Sequence, residues 1–104
     1  MAPTALALPM AELAALCRRW KIARLELFGS ALRDDFGPDS DLDFLATFAP
    51  DARWTLFEHF HMENELVELL GREVDLLDRE AVEQSRNWLR RKEILSSART
   101  VYAA

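Results

Sequence analysis

Residues 41–44, Asp-Leu-Asp-Phe, constrain this chain more than any other stretch. Acid and apolar side chains alternating at period two mark a half-buried β-strand, because successive strand residues point to opposite faces. Leu42 and Phe44 then enter a core, while Asp41 and Asp43 project together from the other side with backbones about 7 Å apart. Asp34, Asp35 and Asp39 stand just upstream. Like charges crowded into so short a span destabilise a fold unless something cationic sits among them.

The pattern on either side of this strand alternates between two periods. Met10, Leu13, Ala14, Cys17 and Trp20 recur at helical spacing and predict an amphipathic helix over 10–20. Residues 22–28 (IARLELF) alternate at period two and predict a strand, ended by Gly29-Ser30. Ser30 can cap a short helix through Arg33, and Gly37-Pro38-Asp39-Ser40 is a turn by composition. After the strand at 41–48, Pro50 and Asp51 break the chain. A long helix over about 53–70 follows, closed by Gly71, and 73–77 (EVDLL) reads as a third strand. From Arg79 the spacing is helical again, in one or two pieces, and 98–104 (ARTVYAA) is either a last strand or a frayed tail. Strands separated by helices predict an α+β domain, a small mixed sheet flanked by helices, spanning residues 1–104 as one unit.

The balance of 13 basic against 18 acidic residues, a formal charge of −5, argues against broad phosphate-driven binding to duplex nucleic acid. It does not argue against a nucleotide held through metal ions, which reverse the local electrostatics. Cys17 is the only cysteine, so no internal disulfide forms and a reducing compartment, the cytoplasm, is expected. The apolar start MAPTALALPM lacks a basic flank and is cut by Pro3 and Pro9, so it predicts neither a signal peptide nor a membrane span.

Asp75 repeats the acid-out arrangement on the third predicted strand, with Val74 and Leu76 on the opposite face. If the second and third strands are neighbours, Asp41, Asp43 and Asp75 line one patch. Magnesium, a hard cation that takes oxygen ligands, would resolve their repulsion. Gly29 lets an anion approach the backbone closely, and Ser30 offers a hydroxyl and an amide at a helix start. A phosphate there and two metals at the aspartates suit a nucleoside triphosphate, with Asp75 placed to share one metal and help deprotonate an attacking hydroxyl. The residues by themselves carry the reading as far as metal-dependent nucleotidyl or phosphoryl transfer.

Gly29-Ser30, ten residues, then Asp41-Leu42-Asp43 resembles the G-S-x10-D-x-D signature of the DNA polymerase β nucleotidyltransferase superfamily. More closely, the chain resembles its minimal nucleotidyltransferases (MNT), antitoxins paired with HEPN-domain toxins. The similarity runs over nearly the whole chain and includes Val74-Asp75-Leu76 as the third aspartate's strand. The resemblance implies the polymerase β-type fold and two Mg²⁺ ions on Asp41 and Asp43, one of them completed by Asp75. It also implies ATP held at Gly29 and Ser30, and a phosphate contact from Arg33. Many members have glycine after that arginine, where this chain has Asp34. The activity implied is transfer of AMP from ATP to a tyrosine of a HEPN ribonuclease partner, in a hetero-oligomer. A non-catalytic antitoxin acting by occlusion, and transfer to a small molecule or an RNA end, are the rival expectations.

The remaining polar residues carry structural readings. Asp34, Asp35, Asp39 and Ser40 belong to helix and turn positions. His59 and His61 are two apart on a predicted helix and do not face one another, and Glu58, Glu63, Glu65 and Glu68 are read as that helix's solvated side. Trp20, Trp54 and Trp88 suit a core or an interface. Arg86, Arg90, Arg91 and Lys92 form a basic helix face.

Overall fold

The computed structural model describes residues 8–29 and 41–104. Within them the chain runs α1 (Met10–Arg19), β1 (Ile22–Phe28), β2 (Leu42–Phe48), α2 (Leu56–Leu70), β3 (Val74–Asp78), α3 (Arg79–Glu83), α4 (Trp88–Ser97) and β4 (Arg99–Ala103). The described strands form one mixed sheet in the order β3-β2-β1-β4. β1 pairs antiparallel with both β2 and β4, and β2 pairs parallel with β3. The segment 99–103, left open by its composition, is therefore a strand, added to the outer side of β1.

Strand alternation gives the sheet two different faces. Leu25 and Leu27 of β1, Leu42, Phe44 and Ala46 of β2, and Val74 and Leu76 of β3 pack with Leu13, Leu16 and Cys17 of α1 and Met62 and Leu66 of α2. This is the main core. On the second face Phe28 and Leu45 meet Ile94 of α4, with Leu77, Val82 and Leu95 packed around them. Glu26 belongs to this second face and is 5% exposed. Its carboxylate accepts from Arg79 Nη1 at 2.5 Å, which ties the start of α3 to the central strand. Breaking such a buried pair by removing one partner costs roughly 3–5 kcal/mol.

Local chemistry sets the helix ends. α2 begins at Leu56 rather than near 53 because Glu58 Oε2 accepts the Thr55 amide at 2.8 Å, closing the first turn there. Arg53, upstream of that cap, instead donates to the carbonyls of Pro50 and Ala52. Gly71 ends α2 in the left-handed region at φ 72°, its amide donating to Val67. Asp78 and Asn87 cap α3 and α4 through their side-chain oxygens, which accept the amides of Glu80 and Arg90.

The acidic residues of α2 are not a uniformly solvated face, as the spacing had suggested. Glu58 caps the helix, and Glu65 pairs with Arg19 of α1. Glu63 Oε2 accepts the Leu76 amide at 2.9 Å, while His59 Nε2 donates to the Leu76 carbonyl at 2.6 Å. One turn of α2 thus satisfies the outer edge of β3, the kind of unpaired strand edge that otherwise invites association. Trp20 and Trp54 are a half-buried edge-to-face pair with centroids 5.3 Å apart, whereas Trp88 lies 58% exposed on α4. Arg86, Arg90 and Lys92 are exposed, and Arg91 donates to the Ser85 carbonyl at 2.9 Å. No described helix is long and apolar enough to cross a membrane.

Cys17 is completely buried, and desolvation pushes its thiol up to about 11, slightly offset by Arg18. A raised folded-state value means that the stabilisation is fully present below the unfolded value near 9.0 and is lost as pH climbs toward 11. Urea titrations should show unfolding free energy falling by up to roughly 1.4 kcal/mol per pH unit across that window, a slope that Cys17→Ala removes. An unchanged slope in the variant would contradict the assignment.

Candidate active site

The three sequence-predicted carboxylates fall at one end of the sheet. Asp43 is the second residue of β2, and its parallel partner on β3 is Asp75. Residues paired in register on neighbouring strands share a face, so these two side chains leave the sheet on the same side, with strands about 4.8 Å apart. Asp41 precedes Leu42 and shares that side by alternation. The Leu42 amide donates to the Glu73 carbonyl at 3.0 Å, so the ladder extends to this end and fixes the position of Asp41. Leu45 and Leu77, two residues further along each strand, belong to the small core of the second face. The acids therefore share the face of α3 and α4, opposite the main core.

Gly29 closes the other flank. It follows the last residue of β1, and Phe28 is the cross-strand partner of Asp43. Its φ is +76°, a region L side chains rarely adopt, and a Cβ built there would lie 2.6 Å from Asp43 Oδ2. Only a residue without a side chain lets this carboxylate lie against the end of β1. Ser30 and Arg33, together with Asp34, Asp35, Asp39 and Ser40, lie outside the described residues.

Sharing a face falls short of converging. Among the described residues, no three carboxylate, imidazole or thiolate groups are close enough together to hold one ion. Asp41 and Asp75 are exposed and Asp43 is half-buried. An all-oxygen donor set is what a hard divalent ion takes. In donor chemistry the residues fit magnesium. The oxygens must draw inward to bind it.

Gly71 provides an internal control for the glycine that abuts Asp43. Both glycines have positive φ, at 76° and 72°, but nothing lies within 4 Å of a Cβ placed at Gly71. Gly71→Ala should cost about 1 kcal/mol in urea unfolding, the backbone term alone. Gly29→Ala should cost at least ~1 kcal/mol more, because the methyl must displace Asp43. Equal losses would show that the close approach carries no energy.

The chain is similar, at 31% identity over 86% of both chains and a TM-score of 0.65, to a structure described as a minimal nucleotidyltransferase. Two further structures share the fold at lower identity. A toxin–antitoxin complex with AMP-PNP matches at 19% identity and a TM-score of 0.70, over 93% of this chain and 75% of that one. A tri-AMPylated Shewanella oneidensis HEPN toxin in complex with MNT antitoxin matches at 18% and 0.61, over 91% and 70%. No curated protein matches the chain. The nucleotidyltransferase domain family matches residues 13–101, a span that takes in the end of β1, both acidic strands and the crossover helix between them, and the chain belongs to that family.

Proposed function

We propose that this nucleotidyltransferase is a Mg²⁺- and ATP-dependent antitoxin that transfers AMP to a tyrosine hydroxyl of a HEPN ribonuclease partner in the cytoplasm. The observation that carries the reading is the in-register pair Asp43–Asp75 beside Gly29. Support for the nucleotide and the partner comes from proteins of the same fold, one holding an ATP analogue and one assembled with an AMPylated HEPN toxin.

In this reading Asp41 and Asp43 hold both metal ions and Asp75 completes one of the two sites. When bound, magnesium supplies Lewis-acid activation of the attacking oxygen and charge neutralisation of the leaving pyrophosphate. The protein positions the reactants. Gly29 and Ser30 hold the triphosphate, and Arg33 contacts a phosphate. The acceptor oxygen bonds to the α-phosphorus as the bond to the β-phosphate bridging oxygen breaks, and pyrophosphate departs. The phenolic proton passes toward Asp75, which is exposed beside Asp43 at this end of the sheet. The main core on the opposite face anchors both acidic strands while this chemistry proceeds.

Incubation with α-labelled ATP, Mg²⁺ and the HEPN partner should place label on a partner tyrosine. Asp43→Asn should lower the labelling rate at least ~100-fold with the fold retained. Neutralisation of the toxin without label, unchanged in Asp43→Asn, would overturn catalysis and leave occlusion.

A further inference from the structure

At the far end of the same sheet face lies a second feature that the transferase reading does not use. A cleft of about 560 Å³ opens between α3, the outer ends of β1 and β2, and the segment 49–54. Thr47 on its floor is four residues from Asp43 along β2, about 13 Å away at strand rise, so the two sites are separate. Small-molecule sites typically enclose roughly 300–1,000 Å³.

The α3 wall carries Asp78, Glu80 and Glu83 beside Arg79, whose charge is shared between Glu26 and Glu83. Asp78 Oδ1 accepts the Glu80 amide at 2.9 Å, and Glu83 accepts from Arg79 Nε at 3.2 Å; Glu80 is exposed at the rim. The strand and loop wall is the reverse. Arg24 is exposed on β1 and has no carboxylate partner among the described residues. Arg53 donates Nη1 to the carbonyls of Pro50 and Ala52, both at 3.0 Å, which orients the guanidinium without neutralising it. Asp51, two residues away, is engaged by Lys21 at 3.0 Å. Arg24 and Arg53 therefore line this cavity without a salt-bridge partner among the described residues, with Asp51 near enough to Arg53 to feel its charge.

The cavity also has a rigid apolar side and an unmet polar demand. Trp54 is fixed by its indole N–H, which donates to the Trp20 carbonyl at 2.9 Å, and by its edge-to-face contact with the Trp20 ring. Thr47 is the cross-strand partner of Arg24, and its buried hydroxyl has no hydrogen-bond partner among the described residues. Such a group is costly to leave unpaired.

We infer that this cleft binds a small oxyanion carrying a flat apolar group, the anion held by Arg24 and Arg53 and the flat group packed on Trp54. Guanidinium forks match phosphate and carboxylate oxygens alike, so both classes meet the chemistry. The inference is independent of the AMP-transfer reading.

The test is an amide and indole NMR titration of the full chain with EDTA present, which keeps divalent ions from the carboxylate end. Phenyl phosphate and benzoate are the two probes, and benzyl alcohol is the neutral control. Saturating shifts should centre on Thr47, Ala52 and the Trp54 indole, with no saturation by benzyl alcohol. Arg24→Gln and Arg53→Gln, both on exposed residues, should each weaken binding about tenfold while shifts elsewhere match the wild type. Stronger binding of phenyl phosphate would assign the site to phosphate ligands, and stronger binding of benzoate to carboxylates; either supports it. An equal response to benzyl alcohol, unchanged affinity in both arginine variants, or shifts centred on Gly29 and Asp43 would overturn it.

Discussion

Parallel pairing of β2 with β3 in one particular register puts the acidic residues where chemistry can use them. With Leu42 opposite Val74, Asp43 falls opposite Asp75, and both acids leave the same face. A slip of one residue would turn Asp75 into the main core and Leu76 toward solvent. Burial of Val74 and Leu76 on the core face opposes that slip. So does α2, whose His59 and Glu63 hold both backbone groups of Leu76 on the free edge of β3. Parallel neighbours require a crossover, and here the crossover helix is also the clamp that keeps the register.

The two faces divide the work. One carries a continuous apolar layer against α1 and α2, and its cost of ordering is met by burial of large side chains such as Phe44 and Met62. The other has only a small core around Phe28, Leu45 and Ile94, which leaves room for charge at both ends of the strands. The buried Glu26–Arg79 pair stands between those ends on the central strand. Anchoring α3 there keeps a helix across the face without covering Asp43 or Asp75.

Much of this was legible in the chain because strands and helices differ in period. The alternation in 22–28 and 41–48 located β1 and β2, and Val74-Asp75-Leu76 located β3 with its acid outward. Gly71 marked the end of α2. The start of α2 was displaced to Leu56 because the Thr55–Glu58 cap outweighs the helical spacing that begins near 53. β4 stayed open because Arg99–Ala103 alternates weakly and earns its place only by pairing with β1, more than seventy residues earlier in sequence. The same limit hid Glu63, whose role is set by a strand edge thirteen residues away. Glu26 did leave a trace, an acid at a period-two position inside an apolar strand. Local spacing could not supply its partner, which enters from α3.

The proposed chemistry requires Asp41, Asp43 and Asp75 to draw together around divalent ions beside Gly29. Crystals grown with Mn²⁺ and a non-hydrolysable ATP analogue test it most directly, through the anomalous scattering of manganese. Two peaks about 3.5–4 Å apart are expected, both ligated by Asp41 and Asp43 and one also by Asp75. Manganese bound with the analogue at another place, or a bound analogue with none of these three carboxylates on the metal, would rule the site out.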